Sequence, residues 1–229
     1  NKRLLTPDNI AASLGNVAYH HETPINHEGS IGIYQVCKLA KSEGVSVLLS
    51  GEGADELFAG YRRYGLVHQR LSRARLVAKF TSTINRWLPR RLQTANQIWR
   101  DRESWLILTT AYGAPHLVKP LFPDADISNA IQRRLHHTKE FNWNRFDESH
   151  LVYDQKTYLV DLLARQDKLS MANSVETRVP FLGNEVVEFA NQIPMSQLLG
   201  KNLQGKVLLK SLVASRFGNN HAYRQKVGF

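Results

Sequence analysis

Cysteine is nearly missing from this chain. Cys37 is the one thiol among 229 residues, which excludes an internal disulfide and suits a reducing compartment, so a cytoplasmic location is expected. Long apolar runs are missing too: nothing approaches the ~20-residue stretch that a membrane-spanning helix needs, and no secretory leader is legible in these residues. There is no internal repeat and no low-complexity segment. Carboxylates are underweight, with 20 Asp and Glu against 30 Lys and Arg, for a net charge of +10. Much of the excess gathers in Arg62, Arg63, Arg70, Arg73, Arg75, Lys79, Arg86, Arg90 and Arg91. Such a balance suits an anionic partner, whether nucleic acid, membrane surface or phosphate, or simply a solvated helix face.

Against that scarcity of acid, three carboxylates crowd one short segment, Ser50-Gly51-Glu52-Gly53-Ala54-Asp55-Glu56. The apolar run Val45–Leu49 before it reads as a short buried strand. Two glycines then break the strand into a tight turn, because Gly takes positive φ without steric cost. Open α/β sheets bind ligands at the carboxyl ends of their strands. Carboxylates gathered there repel one another unless a cation or basic group joins them, and a divalent metal on a polyphosphate would answer that need. Asp55 and Glu56 also open the next helix, where acidic residues suit the macrodipole; Glu52, in the turn itself, is not explained that way.

Along the rest of the chain, Thr6 and Pro7 mark a helix start, with a helix over about 9–17. His20-His21-Glu22 precedes Pro24 in a polar loop; adjacent residues rarely aim at one metal. Ile33, Val36, Cys37 and Ala40 recur at helical spacing, with Cys37 as a buried filler. Residues 66–87 form a basic helix, and 90–150 are helices joined by irregular loops. Trp99, Trp105 and Trp143 are packing residues, and His136-His137 lies on a solvated face. Leu151–Leu163 is one amphipathic helix. Beyond it, Arg165, Asp167, Lys168, Glu176 and Arg178 alternate in sign, as a salt-bridge net tying two helices together would, with Asp167 facing a ligand cleft. Val179–Leu182 is a buried turn, and helices follow over Glu185–Gln192 and Lys206–Arg216.

The string SGEGADELFAGY, running from Ser50 to Tyr61, resembles the signature of the glutamine-dependent asparagine synthetase family. Arg165–Leu182, RQDKLSMANSVETRVPFL, resembles that family's second long motif, and Arg224-Gln225-Lys226-Val227-Gly228-Phe229 resembles its R-x-K-x-G-F. The order fits, and the resemblance spans about 19–229. Three departures stand out. Ala59 occupies a usual Gly. Gly183 occupies a usual Asp, with Asn184 able to cap the following helix instead. The family's Ser-Gly-Gly-x-Asp-Ser phosphate loop does not occur in these residues, nor does an N-terminal Cys.

The resemblance implies an α/β fold: the back half of an ATP-pyrophosphatase, adenine nucleotide alpha hydrolase-like domain, helix-dominated, with 1–64 its α/β part and 65–229 a large helical extension. The chain starts at Asn1 and stops within a motif, so an internal piece of a longer protein is expected, inactive alone, with a glutaminase domain elsewhere on the same chain. The implied reaction adenylates the side chain of aspartate with ATP and Mg²⁺, then transfers ammonia from glutamine to give asparagine. Glu52 would orient the incoming amine or take its proton, and Lys226 would place positive charge on the phosphates. Asp55 would hold the metal. Ser50, Gly51, Gly53, Asp55, Glu56, Tyr61, Asp167 and Arg178 would bind ATP or substrate. A homodimer is compatible with this reading, and a membrane role is not expected. Relatives that close β-lactam rings, macrocyclise peptides or amidate sugar acids keep the alternatives open, as does a basic nucleic-acid-binding module or a scaffold that has lost activity. Nucleic acid is the less favoured partner because it leaves Ser50–Tyr61 unexplained.

Overall fold

The computed structural model describes residues 5–27, 29–81, 89–102, 105, 120–136 and 146–224. Helices dominate. The elements are α1 (Pro7–His21), α2 (Gly29–Ser42), β1 (Val47–Leu49), α3 (Ala54–Leu57), α4 (Arg62–Thr81), α5 (Arg90–Arg100), α6 (Ile127–His136), α7 (Phe146–Lys156), α8 (Tyr158–Met171), β2 (Glu176–Arg178), α9 (Asn184–Gln192), α10 (Met195–Leu198), α11 (Val207–Phe217) and α12 (Asn219–Ala222), with a 3₁₀ turn at Pro180–Leu182.

The chain divides into two units interleaved in sequence: Asn1–Ala54, Thr157–Gln192 and Leu209–Phe229 form the first, Asp55–Lys156 and Ile193–Leu208 the second. The chain passes between the units at 54/55, 156/157, 192/193 and 208/209. Strand pairing is the reason: β1 and β2 run parallel, with Val47 opposite Glu176, Leu48 opposite Thr177 and Leu49 opposite Arg178. A parallel pair needs a long crossover, so segments far apart in sequence share one unit.

In the first unit, α1, α2 and α8 pack together around Val17, Tyr34 and Leu169. Helix α1 starts as its sequence predicts: Thr6 Oγ1 accepts the Asn9 N–H at 3.3 Å and Pro7 takes the first turn. It continues past Val17 to His21. Cys37 is buried as expected, and burial raises its thiol pKa.

Four local readings are corrected. Val45–Leu49 is a strand only over Val47–Leu49 and is not buried; Leu49 is 74% exposed, since among the described residues the sheet has two strands and leaves faces of β1 uncovered. Glu176 and Arg178 do not tie two helices together but lie in β2, paired with each other at 2.8 Å. The single helix over Leu151–Leu163 is two, α7 and α8, parted at Thr157, a β-branched residue with poor helix propensity. The Val179–Leu182 segment is half-buried, and α9 begins at Asn184 itself, with the Gly183 carbonyl accepting from Val187 N–H at 3.0 Å.

In the second unit, α4 packs on α5 and α7 around Val67, Leu71 and Tyr153, with Ile98, Trp105 and Leu135 against them. Trp105 is thus a packing residue as expected; Trp143 and His137 lie outside the described residues. The inner face of α7 also buries charge. Asp154 Oδ2 accepts from Tyr64 Oη at 2.6 Å and Arg63 Nη2 at 2.7 Å. The ring of His150 meets Tyr64 edge-on at 5.0 Å.

His150 is fully buried, and among the described residues neither ring nitrogen has a hydrogen-bond partner. Burial depresses its pKa from 6.5 to about 4, against the pull of the Asp154 charge and with the push of Arg63. The sign follows from which state takes the proton. Between those two pKa values the unfolded chain binds a proton that the folded chain refuses, so stability is complete above about pH 6.5 and falls as pH drops toward 4. Chemical denaturation is expected to show a loss on the order of 2 kcal/mol from His150 between about pH 7 and about pH 5. His150→Phe should remove that part of the pH dependence; an unchanged profile would show that His150 does not carry it.

Candidate active site

At the end of β1 the ladder continues one residue: Ser50 N–H donates to the Arg178 carbonyl at 2.8 Å. The chain then turns. Ser50 Oγ accepts the Glu52 N–H at 3.3 Å, and Ala54 N–H closes on the Gly51 carbonyl at 3.3 Å. Of the two glycines only Gly53 has positive φ, +87°, and a Cβ there would also collide with the Leu182 side chain. This fixes Glu52 at the tip of the turn, 24% exposed.

Facing Glu52 within the same unit is Arg165 of α8, with Nη2 3.8 Å from Glu52 Oε1. The Arg165 side chain is 6% exposed, and among the described residues its Nε and Nη1 have no hydrogen-bond partner. Its Nη1 passes beside Gly29 at the start of α2, next to the buried Ser30, whose hydroxyl is also unsatisfied. A guanidinium stripped of water with open donors is costly unless an anion completes it. The sequence reading did not place Arg165 in the site. A signal was present: Leu162, Arg165 and Leu169 recur at helical spacing and are all buried, so a charge sits on an apolar stripe.

In the second unit, Asp55 Oδ1 accepts Lys206 Nζ at 2.9 Å. Lys206 is anchored by its own N–H on the Phe58 carbonyl at 2.9 Å. The preceding Gly205 lies so close to the chain that a Cβ would strike the Ala59 carbonyl. Ala59 has φ +53°, the left-handed region in which a non-glycine residue costs roughly 1–2 kcal/mol. Its place in a usual glycine position is therefore not neutral. Glu56 is 1% exposed and accepts the Tyr61 hydroxyl at 2.7 Å, while Gln155 Nε2 donates to its carbonyl at 3.3 Å. The guanidinium of Arg63 lies 4.4 Å from the Tyr61 ring centre.

Each carboxylate of the turn has a partner within its own unit. Glu52 has Arg165, Asp55 has Lys206, and Glu56 has Tyr61. Asp167 is exposed on α8, two residues from Arg165 and so on the other side of the helix. Arg178 is exposed and bonded to Glu176; that hydrogen bond, then its charge, lowers the Glu176 carboxyl and raises Arg178. Lys226 lies outside the described residues. Among the described residues no three His, Cys, Asp or Glu side chains group as a metal site, and no helix is long and apolar enough to cross a membrane.

Comparison with known proteins agrees with the motifs. Asparagine synthetase [glutamine-hydrolyzing] 1 of Bacillus subtilis is 27% identical over 235 residues, covering 99% of this chain and 37% of that protein. Asparagine synthetase [glutamine-hydrolyzing] 3 of the same organism is 25% identical over 183 residues, covering 77% of this chain and 25% of the relative. Amidase chyE of Penicillium rubens is 21% identical over 243 residues, covering 89% and 35%. The chain spans a little over a third of the length of the first of these relatives. No solved structure matches significantly. The asparagine synthase family model matches residues 1–229; the chain belongs to the asparagine synthase family, whose domain has an adenine nucleotide alpha hydrolase-like fold.

Proposed function

We propose that the chain is the amide-forming part of an ATP-dependent asparagine synthetase acting on aspartate with ammonia drawn from glutamine. The observation that carries this reading is the buried Arg165 guanidinium, with open donors, beside Glu52 of the acidic turn. Arg165 would take a carboxylate or phosphate oxygen through its fork of N–H groups. A side-chain carboxylate oxygen of aspartate attacks the α-phosphorus of ATP and pyrophosphate departs. Ammonia then attacks the acyl carbon, AMP departs, and Glu52 is the group placed to accept the proton that the new amide sheds. Lys226 carries phosphate charge in this reading, and Lys206 holds the Asp55 carboxylate in place.

Mg²⁺ fits the residues present in one way. Asp55 offers a single hard carboxylate, which suits an ion that takes one or two carboxylates and completes its shell with phosphate and water. The ion when bound would neutralise phosphate charge. Asp167 and Arg178 remain candidates for substrate contact as exposed groups on α8 and β2.

The test is ATP–pyrophosphate exchange by the full-length protein. Exchange that requires aspartate supports the proposal. Exchange with another carboxylic acid in place of aspartate moves the acceptor to a cyclising or sugar-acid relative. No exchange with any carboxylate would overturn the synthetase reading.

A further inference from the structure

Helix α4 contains no aspartate and no glutamate. Its inner face is Tyr64, Val67, Leu71 and Ala74, all buried. On its outer face Arg62, Leu66, Arg70, Arg73 and Leu76 recur every three or four residues, and all are exposed, Leu76 to 60%. Helix α9 is the converse. It contains no lysine and no arginine. Glu185, Glu188, Phe189 and Gln192 share one exposed face, opposite the buried Ala190, and Phe189 is 61% exposed. Among the described residues Arg62, Arg70, Arg73, Glu185 and Glu188 make no ion pair.

We propose that α4 of one copy of this chain docks on α9 of a second copy. The two faces are complementary in charge, and the spacing matches. Arg70 and Arg73 are three residues apart, as are Glu185 and Glu188, so each pair spans about 4.5 Å along its helix. With the helices antiparallel, Arg73 meets Glu185, Arg70 meets Glu188, and Phe189 lies toward Leu66. The exposed leucines beside the arginines favour a partner that brings an apolar side chain with its charges, as α9 does, over a bare polyanion. Like charge excludes α4 on α4 and α9 on α9. Helix α9 has nine residues, so the contact is smaller than a standard interface. Association is therefore expected to be weak, concentration-dependent and reduced by salt.

The test is a charge swap in the full-length protein, read by analytical ultracentrifugation over a range of concentrations. Arg70→Glu/Arg73→Glu makes both faces acidic, and Glu185→Arg/Glu188→Arg makes both basic, so each variant alone should self-associate at least about tenfold more weakly. Mixing the two variants restores opposite charge at both contacts and should restore association. All four positions are exposed, where substitutions leave the fold intact. A second measurement detects the contact even if another surface also holds copies together. Protein carrying Arg73→Cys is oxidised with differently tagged protein carrying Glu185→Cys, and a disulfide joining the two tags is expected, in excess over each variant mixed with unaltered protein. Association unchanged in the separate variants, or a mixture no better than its parts, would overturn the proposal. So would a single-stranded oligonucleotide that binds through Arg70 and Arg73 to a protein showing no self-association, since the face would then be a nucleic-acid surface.

Discussion

Asp154→Ala is expected to destabilise the second unit by about 3–5 kcal/mol, the range seen when one partner of a buried charge pair is removed. Asp154 is fully buried, and its Oδ2 is shared by the Tyr64 hydroxyl at 2.6 Å and the Arg63 guanidinium at 2.7 Å. Burial, then the Asp154 charge and hydrogen bond, push the Tyr64 hydroxyl well above its usual pKa, so it donates as a neutral phenol. Burial works against the charge on Arg63, but the charge of Asp154 wins and holds it protonated. Deleting the carboxylate would remove the acceptor that the Tyr64 hydroxyl and the Arg63 guanidinium share. Asp154→Asn keeps an acceptor for Tyr64 and loses only the charge, so it should cost less than the alanine variant. Tyr64→Phe removes one neutral donor and should cost about 1 kcal/mol.

Urea denaturation of the three variants, with the Asp154→Ala/Tyr64→Phe double, checks the order. The double should cost less than the two singles added, because the stranded hydroxyl is gone. A loss below about 1 kcal/mol for Asp154→Ala would refute the network as a stabilising unit. The consequence reaches the acidic turn through contacts within the same unit. Arg63 lies on the Tyr61 ring, Tyr61 donates to Glu56, and Glu56 adjoins Asp55. Tyr61 thus does two things: its ring packs against the Arg63 guanidinium, and its hydroxyl satisfies the buried Glu56.

This network also shows where sequence reading stops. Helix α2 follows from periodicity, since its apolar residues serve local packing; the strand before the turn was legible from its apolar run alone, and its burial was not. Asp154 and His150 sit in a stretch whose apolar spacing alone is legible, and nothing in that spacing says that an acid and an imidazole turn inward to meet Tyr64, 90 residues earlier. Strand β2 was illegible for another reason: Glu-Thr-Arg has no apolar alternation, and its strand state comes from pairing with β1 across the whole of the second unit's main segment. The acidic turn was legible because glycine and charge density mark it. Its division among three separate partners was not, since Arg165 and Lys206 reach it from over 100 residues away.

Glu52→Gln in the full-length protein is expected to lower asparagine formation by about 10²–10⁴-fold, the range of a lost general base, while ATP–pyrophosphate exchange falls far less. The substitution keeps size and hydrogen-bonding capacity and removes the ability to take a proton. Its cost to the fold should be small: the contact with Arg165 is 3.8 Å, and Glu52 is partly exposed, so the pair is worth no more than about 1 kcal/mol. Arg165→Lys should show no such split. It retains a charge but loses the planar fork, so exchange should fail along with the overall reaction, through a raised KM for the carboxylate substrate. Measuring both half-reactions in both variants separates the roles. If Glu52→Gln lowered exchange and amide formation equally, Glu52 would be acting on adenylation or merely holding Arg165, and the proton would have to leave by another group. If Glu52→Gln kept near-normal turnover, the acidic turn would lose its catalytic assignment, and Arg165 would remain an anion-binding residue without a base beside it.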